Sequence, residues 1–284
     1  MPDVIACGEL LIDFVSTVAG VSLREAPAFQ RAAGGAPANV AVGLARLGIS
    51  SGFIGMVGDD DFGRGLATEL SENGVDVSRL CYSQEARTAL AFVSLRADGE
   101  RDFMFYRHPG ADMLFAPENV DDEYIRSARI FHFGSITLGA PLSRAATLHA
   151  LGTASAGGLF ISYDPNLRLN LWPSREAAHA GMLEGWPHAN LIKVSEEELV
   201  FLSGHADVKQ GAKAMWHERL LVLLVTKGDG GAIFFTSDGS ESVPGFSVEL
   251  IDATGAGDGF RAGVLYRLFR LFWKVLQMDG VRCA

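Results

Sequence analysis

The sequence predicts an α/β fold with a mostly parallel central sheet, helices on both faces and a small β-hairpin that serves as a lid. Short apolar runs typical of buried strands alternate with stretches of helical periodicity, and this alternation predicts the parallel sheet. One segment breaks the alternation, because two β-rich runs, 89–95 and 101–106, flank the turn-forming residues 97–100. An antiparallel hairpin within such a pattern indicates a lid.

The predicted strands and helices follow one another from the N-terminus onwards. A first strand at 4–8 precedes a second apolar run, 10–15, and we expect Asp13 to lie at the end of that first strand. Pro37 begins a helix over 38–47. Further strands are predicted at 53–57, 130–133, 159–163, 191–194 and 220–226, with helices at 62–70, 144–151, 175–184 and 196–202.

Length and composition indicate one large globular domain. Of the 284 residues 48% are hydrophobic and 20% are charged, which is enough apolar material for a sizeable core. The formal net charge of -10 argues against non-specific binding to nucleic acid, because such binding needs clustered Lys and Arg. We expect a cytoplasmic protein without a membrane span, because the strongest apolar run, 220–225, is far shorter than a membrane helix.

A glycine-rich heptad, 252–258, reads Asp-Ala-Thr-Gly-Ala-Gly-Asp and stands between a strand-like run, 246–251, and a helical stretch, 260–269. Such a turn points backbone N–H groups from the positive end of a helix dipole, where phosphate charge is stabilised. Asp258, in the first helical turn, would be held ionised by the dipole and could accept a proton from an attacking hydroxyl. The alternative is an Asp N-cap whose neighbouring glycines serve only the turn.

The heptad resembles the signature of the ribokinase-like, PfkB-type carbohydrate kinases, whose usual form has Thr at the position of Ala253. The segment 34–41, Gly-Gly-Ala-Pro-Ala-Asn-Val-Ala, resembles the first signature of the same family. The resemblance implies ATP-dependent transfer of a phosphoryl group to a sugar hydroxyl. The catalytic residues that it implies are the base and the N–H donors of the turn: Asp258, Gly255, Ala256 and Gly257.

The resemblance also implies one ribokinase-like α/β domain over residues 1–284, with a β lid contributed by about 12–30 and 87–110. In the family, further helices follow the glycine turn and its helix, and they help to form the adenine pocket. The tail 268–278 is apolar and basic and resembles no part of the family. We therefore expect the C-terminal layer to be shortened after about residue 270.

By the same resemblance, sugar hydroxyls would be bound by a carboxylate, amides, glycines that allow close approach, and arginines. These residues are Asp13, Gly34, Gly35, Asn39, Arg107, Asn166 and Arg168. Most of them have a structural alternative, and Asn39 could simply be a residue of an early helical turn. Asp13 could be a solvated loop carboxylate, the glycines a helix boundary, Arg107 an arginine that holds the hairpin by charge pairing, and Arg168 a member of a surface ion pair.

The loop 226–231, after a predicted strand, reads Thr-Lys-Gly-Asp-Gly-Gly and resembles the loop on the nucleotide side of the site in this family. A plain β-turn explains this loop nearly as well. The implied nucleotide-binding residues are Thr226, Lys227, Gly228, Gly231 and Thr254. Glu198 is expected to order Mg²⁺ and its waters, and its alternative role is that of a negative charge at a helix N-terminus. A monovalent cation such as K⁺ is a further expectation beside the glycine turn.

Segments of the lid indicate the acceptor, because 87–92, 103–107 and 111–114 look like segments of fructokinases. The resemblance therefore implies phosphorylation of D-fructose to fructose 6-phosphate. The alternatives are a kinase for another sugar, a sugar acid or a nucleoside, and a sugar-binding protein whose catalysis is weakened by the shortened C-terminus. A homodimer formed through the lid is compatible with the sequence.

Overall fold

Strands and helices alternate along most of the chain in the computed structural model, which describes residues 1–95, 101–248 and 255–278. The strands are β1 (Val4–Cys7), β2 (Leu11–Ser16), β3 (Phe29–Gly34), β4 (Ser51–Gly58), β5 (Val75–Asp76), β6 (Leu80–Ser83), β7 (Leu90–Leu95), β8 (Arg101–Tyr106), β9 (Ile130–Gly134), β10 (Phe160–Asp164), β11 (Leu191–Ser195), β12 (Val222–Thr226), β13 (Ala232–Thr236) and β14 (Gly239–Val243). The helices are α1 (Ala36–Arg46), α2 (Asp61–Glu72), α3 (Asp122–Arg126), α4 (Pro141–Ala156), α5 (Arg175–Gly185), α6 (Glu196–Ser203), α7 (Val208–Ala214) and α8 (Ala256–Met278).

The main sheet has the order β14-β13-β12-β11-β10-β9-β1-β4-β5, and β6 also pairs with β4. Pairing is parallel from β12 across to β5, while β13 and β14 add an antiparallel edge. All four residues of β1 and all five of β9 are buried, as expected for strands covered on both faces. The predicted mostly parallel α/β fold is confirmed. In such a sheet, ligands bind beyond the carboxyl ends of the strands.

A second, four-stranded sheet has the order β3-β2-β7-β8. The two predicted β-rich runs form β7 and β8, which pair antiparallel, while the turn between them lies outside the described residues. Asp13 lies in the middle of β2, opposite Ala32 and Ala91, so its expected position at the end of the first main-sheet strand is wrong. The periodicity predicted both strands correctly, but it carries no information on which sheet each strand joins.

Helices α1 and α8 pack against each other over one face of the main sheet. Val40 and Leu44 of α1 belong to the same apolar cluster as Ala262 and Leu265 of α8, and all four side chains are 0–1% exposed. This packing places the first turns of two helices side by side, although they are more than 200 residues apart in the chain. No helix in the described residues is long and apolar enough to cross a membrane.

Candidate active site

Nine of the residues predicted from the sequence line one cleft of about 330 Å³ between the main sheet and the second sheet. They are Asp13, Gly35, Asn39, Asn166, Arg168, Glu198, Gly255, Gly257 and Asp258. The cleft walls come from the segments that follow β1, β10 and β11, from the first turns of α1 and α8, and from β2, β7 and β8. The structure therefore brings together most of the predicted site from distant parts of the sequence.

Asp258 lies in the first turn of α8, and its Oδ2 accepts a hydrogen bond of 2.8 Å from Nδ2 of Asn39. Burial raises the pKa of Asp258 to about 6, and nearby Asp164 adds to the rise. The hydrogen bond from Asn39 and the charges of Lys193 and Arg168 oppose it. Burial thus outweighs the lowering of the pKa of Asp258 that was expected from the helix dipole. The carboxylate is still ionised at neutral pH, and its pKa is close to that of an effective base.

Asp13 projects from β2 into the same cleft, as do Leu11 and Val15, because alternate residues of a strand share one face. Burial raises the pKa of Asp13 to about 6, and the positive charge of Arg168 opposes that rise. A half-buried carboxylate beside an arginine can accept hydrogen bonds from hydroxyl groups of a ligand. The solvated-loop alternative does not describe this position.

The glycine pair at the start of α1 allows close approach. Gly35 has φ 114°, and a Cβ there would overlap the backbone oxygen of Glu9. Gly34 is buried and does not line the cleft, but a Cβ on it would overlap the carboxylate of Asp13. Gly35 therefore shapes the cleft wall directly, while Gly34 makes room for Asp13.

The loop after β10 contributes Asn166 and Arg168. Asn166 has φ 48°, the single positive φ of a residue other than glycine in the described ranges, and asparagine tolerates this conformation better than most residues. Nη1 of Arg168 donates to the backbone oxygen of Leu167 at 2.9 Å, and its guanidinium lowers the pKa of Asp13. The strained backbone at Asn166 is typical of positions held for ligand binding.

Arg107 lies elsewhere. Its side chain is 4% exposed and forms a buried ion pair with Asp112, in which Nε donates to Oδ2 at 2.6 Å. It is not among the residues that line the cleft. The structure favours the charge-pairing alternative, in which Arg107 secures the base of β8, over a direct contact with the ligand.

A second cavity, of about 430 Å³, opens on the other side of the glycine turn. Its walls are mainly apolar, and its lining includes Thr226, Gly228, Gly231 and Ala256 from the predicted set. Gly257 lines both cavities, so the two meet at the first turn of α8. Lys227 is directed instead towards Glu196, with 3.8 Å between Nζ and Oε1, and Thr254 lies outside the described residues.

The run 246–251, predicted to be strand-like, is not a strand where it is described. Phe246 and Val248 are 91% and 76% exposed, and residues 249–254 lie outside the described ranges. The apolar character of the run indicates buried surface, but here Phe246 lines the second cavity instead of joining the sheet.

Glu198 forms a capping box with Ser195 at the start of α6. Its Oε2 accepts from the backbone N–H of Ser195 at 2.8 Å, and its Oε1 accepts from that of Leu167 at 2.7 Å. Burial raises the pKa of Glu198, and Asp164 raises it further, while Lys193 opposes the rise. Its hydrogen bonds tie α6 to the loop after β10.

Within the described ranges, no group of three or more His, Cys, Asp or Glu is placed to hold a metal ion. A dedicated protein cage for Mg²⁺ is therefore not present in this part of the chain. Mg²⁺ usually keeps several waters and binds one or two carboxylates plus substrate phosphates. Glu198 fits that arrangement, because it lines the cleft and each of its oxygens has a second lone pair.

Sequence reasoning missed three charged residues beneath the glycine turn: Lys193, Asp164 and Arg261. Nζ of Lys193 lies 3.3 Å from Oδ2 of Asp164, and Nε of Arg261 lies 3.9 Å from the same oxygen. The available signal was Lys193 itself, a charge inside the otherwise apolar run of β11. Arg261 gave a weaker signal, because it lies one helical turn after Asp258 in α8.

A fourth missed residue, Glu9, follows β1 and lines the cleft. Its Oε1 accepts a hydrogen bond of 2.9 Å from the backbone N–H of Ala36 at the start of α1. Burial raises the pKa of Glu9 to about 7, and the negative charge of Asp112 adds to the rise. Hydrogen bonds from the backbone N–H groups of Glu9 itself and of Ala36, together with the positive charge of Arg107, oppose this rise. The residue thus joins the end of β1 to the helix that carries Asn39.

The entire chain, residues 1–284, matches the family described as pfkB family carbohydrate kinase. The chain belongs to the pfkB family of carbohydrate kinases. As a member of this family it is a sugar kinase. It is 51% identical over 268 residues to fructokinase-1 of Zea mays, and the alignment covers 94% of this chain and 83% of the maize protein.

Solved structures of two fructokinases superimpose closely on this chain. A fructokinase from Xylella fastidiosa with bound ATP has a TM-score of 0.86 and 38% identity, covering 96% of this chain and 83% of its own. A double-mutant fructokinase from Vibrio cholerae O395, in a form with fructose, ADP and potassium ion bound, has a TM-score of 0.84 and 34% identity, covering 94% and 84%. The ribokinase-like architecture expected from the sequence is confirmed.

Proposed function

We propose that this protein is a cytoplasmic enzyme that transfers the γ-phosphoryl group of ATP to the C6 hydroxyl of D-fructose, giving fructose 6-phosphate and ADP. The observation that carries the proposal is the meeting of two cavities at Gly257, directly beside Asp258. A cleft lined by several charged and amide side chains suits a sugar, and a mainly apolar cavity suits an adenine base. The fructokinases of maize and Xylella fastidiosa support fructose and ATP as the two substrates.

In the proposed reaction, the C6 oxygen of fructose attacks the γ-phosphorus and forms a new O–P bond. The bond between that phosphorus and the bridging oxygen of ADP breaks, and ADP leaves with the electron pair. Asp258 takes the proton of the hydroxyl, while the N–H groups of Gly255, Ala256 and Gly257 receive the phosphoryl charge. Glu198 would order the waters of a Mg²⁺ ion, and the ion would supply positive charge that offsets part of the phosphate charge.

The sugar would be held by the cleft residues on the side of the second sheet. Asp13 and Asn166 would bind hydroxyl groups, Asn39 would orient Asp258, and Gly35 would allow the ring to approach the backbone. Phe103 and Phe105 of β8 also line the cleft, which makes the second sheet a lid with an apolar inner face. Closing this lid would exclude water and limit wasteful hydrolysis of ATP.

The test is a coupled assay of ADP release with Mg²⁺-ATP and a panel of acceptors: fructose, other ketoses, 2-keto-3-deoxygluconate and nucleosides. Fructose should give the highest kcat/KM, and ³¹P NMR of the product should show a phosphomonoester on C6. A higher kcat/KM with a sugar acid or a nucleoside would reassign the acceptor. Calorimetric binding of fructose with no ADP release from any acceptor would show a sugar-binding protein instead.

We extend the proposal to a monovalent cation near the glycine turn, because potassium is bound in the Vibrio cholerae relative. Activity should rise several-fold when K⁺ replaces Na⁺ at constant ionic strength. Equal rates in the two salts would exclude activation by K⁺.

We also propose that two copies pair through the outer face of the lid. Phe14 and Phe92 stack there with their ring centroids 5.1 Å apart, and Met104 and Tyr106 beside them are 43% and 59% exposed. An exposed apolar sheet face of this kind is typical of an interface. Light scattering after gel filtration should give the mass of a dimer, and Tyr106→Lys should shift it towards the monomer. A wild-type mass of one chain would reject the pairing.

A further inference from the structure

The charge of the cleft sets a problem for phosphoryl transfer. The ionisable side chains that line it are four carboxyl groups and two cations: Glu9, Asp13, Glu198, Asp258, Arg168 and Lys193. The substrate that must reach this cleft carries a polyanionic phosphate chain. Acids alone would repel it, so the two cations carry much of the favourable electrostatic interaction that the protein can offer.

The two cations face different parts of the site. Arg168 influences both Asp13 and Asp258, and it lies on the loop after β10 that also carries Asn166. Lys193 lies in the middle of β11 and extends towards the glycine turn, where its Nζ lies 3.1 Å from the point that a Cβ on Gly257 would occupy. Because both cavities meet at Gly257, Lys193 lies where the transferred group must pass.

Lys193 is held in place from below. It is 8% exposed, and its ammonium forms an ion pair of 3.3 Å with Asp164. Asp164 also faces Arg261, which is fully buried and donates to the backbone oxygen of Tyr163 at 2.5 Å and to Oγ of Ser162 at 3.3 Å. Asp164 therefore keeps a cationic partner even without Lys193, and one ion pair leaves other N–H donors of the ammonium free to turn towards the cleft.

We propose that Lys193 is a further catalytic residue, whose ammonium donates hydrogen bonds to the phosphoryl group in transit, with Asp164 and Arg261 as its positioning residues. The proposal rests on the phosphoryl transfer inferred above. A lysine is suited to this role because its charge is compact and its donors rotate freely. The negative charge that spreads over the phosphoryl oxygens in the transition state is what a fixed ammonium stabilises.

The central experiment compares wild-type protein with Lys193→Met, which keeps a side chain as long as the ε-carbon of lysine and removes the ammonium. Loss of one charge-stabilising donor should lower kcat by about 10²- to 10³-fold, while calorimetry should give a dissociation constant for fructose within about threefold of the wild-type value. Lys209→Met, on the exposed surface of α7, is the matched control and should keep wild-type kinetics. Wild-type activity establishes the proposed function first, independently of either variant.

Two readouts separate catalysis from a structural role. Lys193 lowers the pKa of Asp258, so its loss should move the acid limb of the kcat/KM profile to higher pH. In Lys193→Ala, added propylammonium should restore part of kcat, because it replaces the deleted atoms and their charge.

A kcat of Lys193→Met within threefold of wild type would overturn the proposal. So would a loss of kcat that comes with weakened fructose binding, a lowered melting temperature and no rescue by propylammonium, because those results describe a purely structural lysine. Rescue by propylammonium with an unchanged fructose affinity would support it.

Discussion

Asp258→Asn should abolish turnover and, at the same time, stabilise the fold. Burial raises the pKa of Asp258 from 3.8 to about 6, so folding at neutral pH moves an ionised carboxylate into surroundings that stabilise its charge less well than water does. At 1.36 kcal/mol for each pKa unit, about two units set an upper limit of about 3 kcal/mol on that cost. The uncharged amide removes the cost and can still accept the hydrogen bond from Asn39.

The sign of the pH dependence follows from the raised pKa. The cost is fully present above about pH 6, where the folded carboxyl is ionised, and it falls as the pH drops towards the unfolded value of 3.8. The gain in free energy of unfolding for Asp258→Asn should therefore be greatest at pH 7.5 and about one third as large at pH 4.5. Most substitutions destabilise a protein, so a gain with this pH profile is diagnostic.

The assay is thermal unfolding at the two pH values together with the ADP-release rate at saturating fructose. At pH 7.5 the melting temperature should rise, by at most about 5 °C, and kcat should fall by about 10²- to 10⁴-fold. Asp238→Asn, at an exposed turn, is the control and should change neither quantity. A less stable Asp258→Asn variant, or one that retains its activity, would refute the reasoning that makes Asp258 a buried base.

Three other residues of the cleft, Asn39, Gly35 and Glu198, should each affect a different property of the enzyme. The acid limb of the kcat/KM profile should have its midpoint near pH 6. Asn39→Ala should raise that midpoint by about one pH unit, because a hydrogen bond to the ionised form of Asp258 is lost. An unchanged midpoint would show that Asn39 does not influence the base. Gly35→Ala should lower the melting temperature clearly, since φ 114° and a neighbouring backbone oxygen both exclude a Cβ, whereas Gly20→Ala tests strain alone at φ 81° in open space and should cost less. Glu198→Gln should raise the Mg²⁺ concentration for half-maximal activity about tenfold, and an unchanged requirement would exclude Glu198 from ordering the ion.

Much of the candidate site could be predicted because its signals are local. The glycine turn before Asp258 and the glycine pair before Asn39 are continuous motifs, and their structural consequence, a helix N-terminus, needs only a few residues. The structure then places Asn39 and Asp258 within 2.8 Å of each other, a contact that no spacing in the sequence specifies.

The rest depends on how elements pack, which the sequence alone does not state. Arg107 resembled a ligand contact, yet burial against Asp112 makes it part of the lid's base. Lys193 and Arg261 looked like ordinary residues of a strand and a helix, and they become a charged layer only because β11 and α8 meet at Asp164. Side-chain burial and long-range pairing decide these cases.

The most direct measurement of the central claim is a crystal structure of Asp258→Asn with fructose and a non-hydrolysable ATP analogue bound, since that pair cannot react while the crystal grows. We expect the C6 oxygen to lie within about 3.5 Å of the side chain at position 258, with the γ-phosphate between that oxygen and the N–H groups of 255–257. A fructose bound away from position 258, or a γ-phosphate that does not contact the glycine turn, would contradict it.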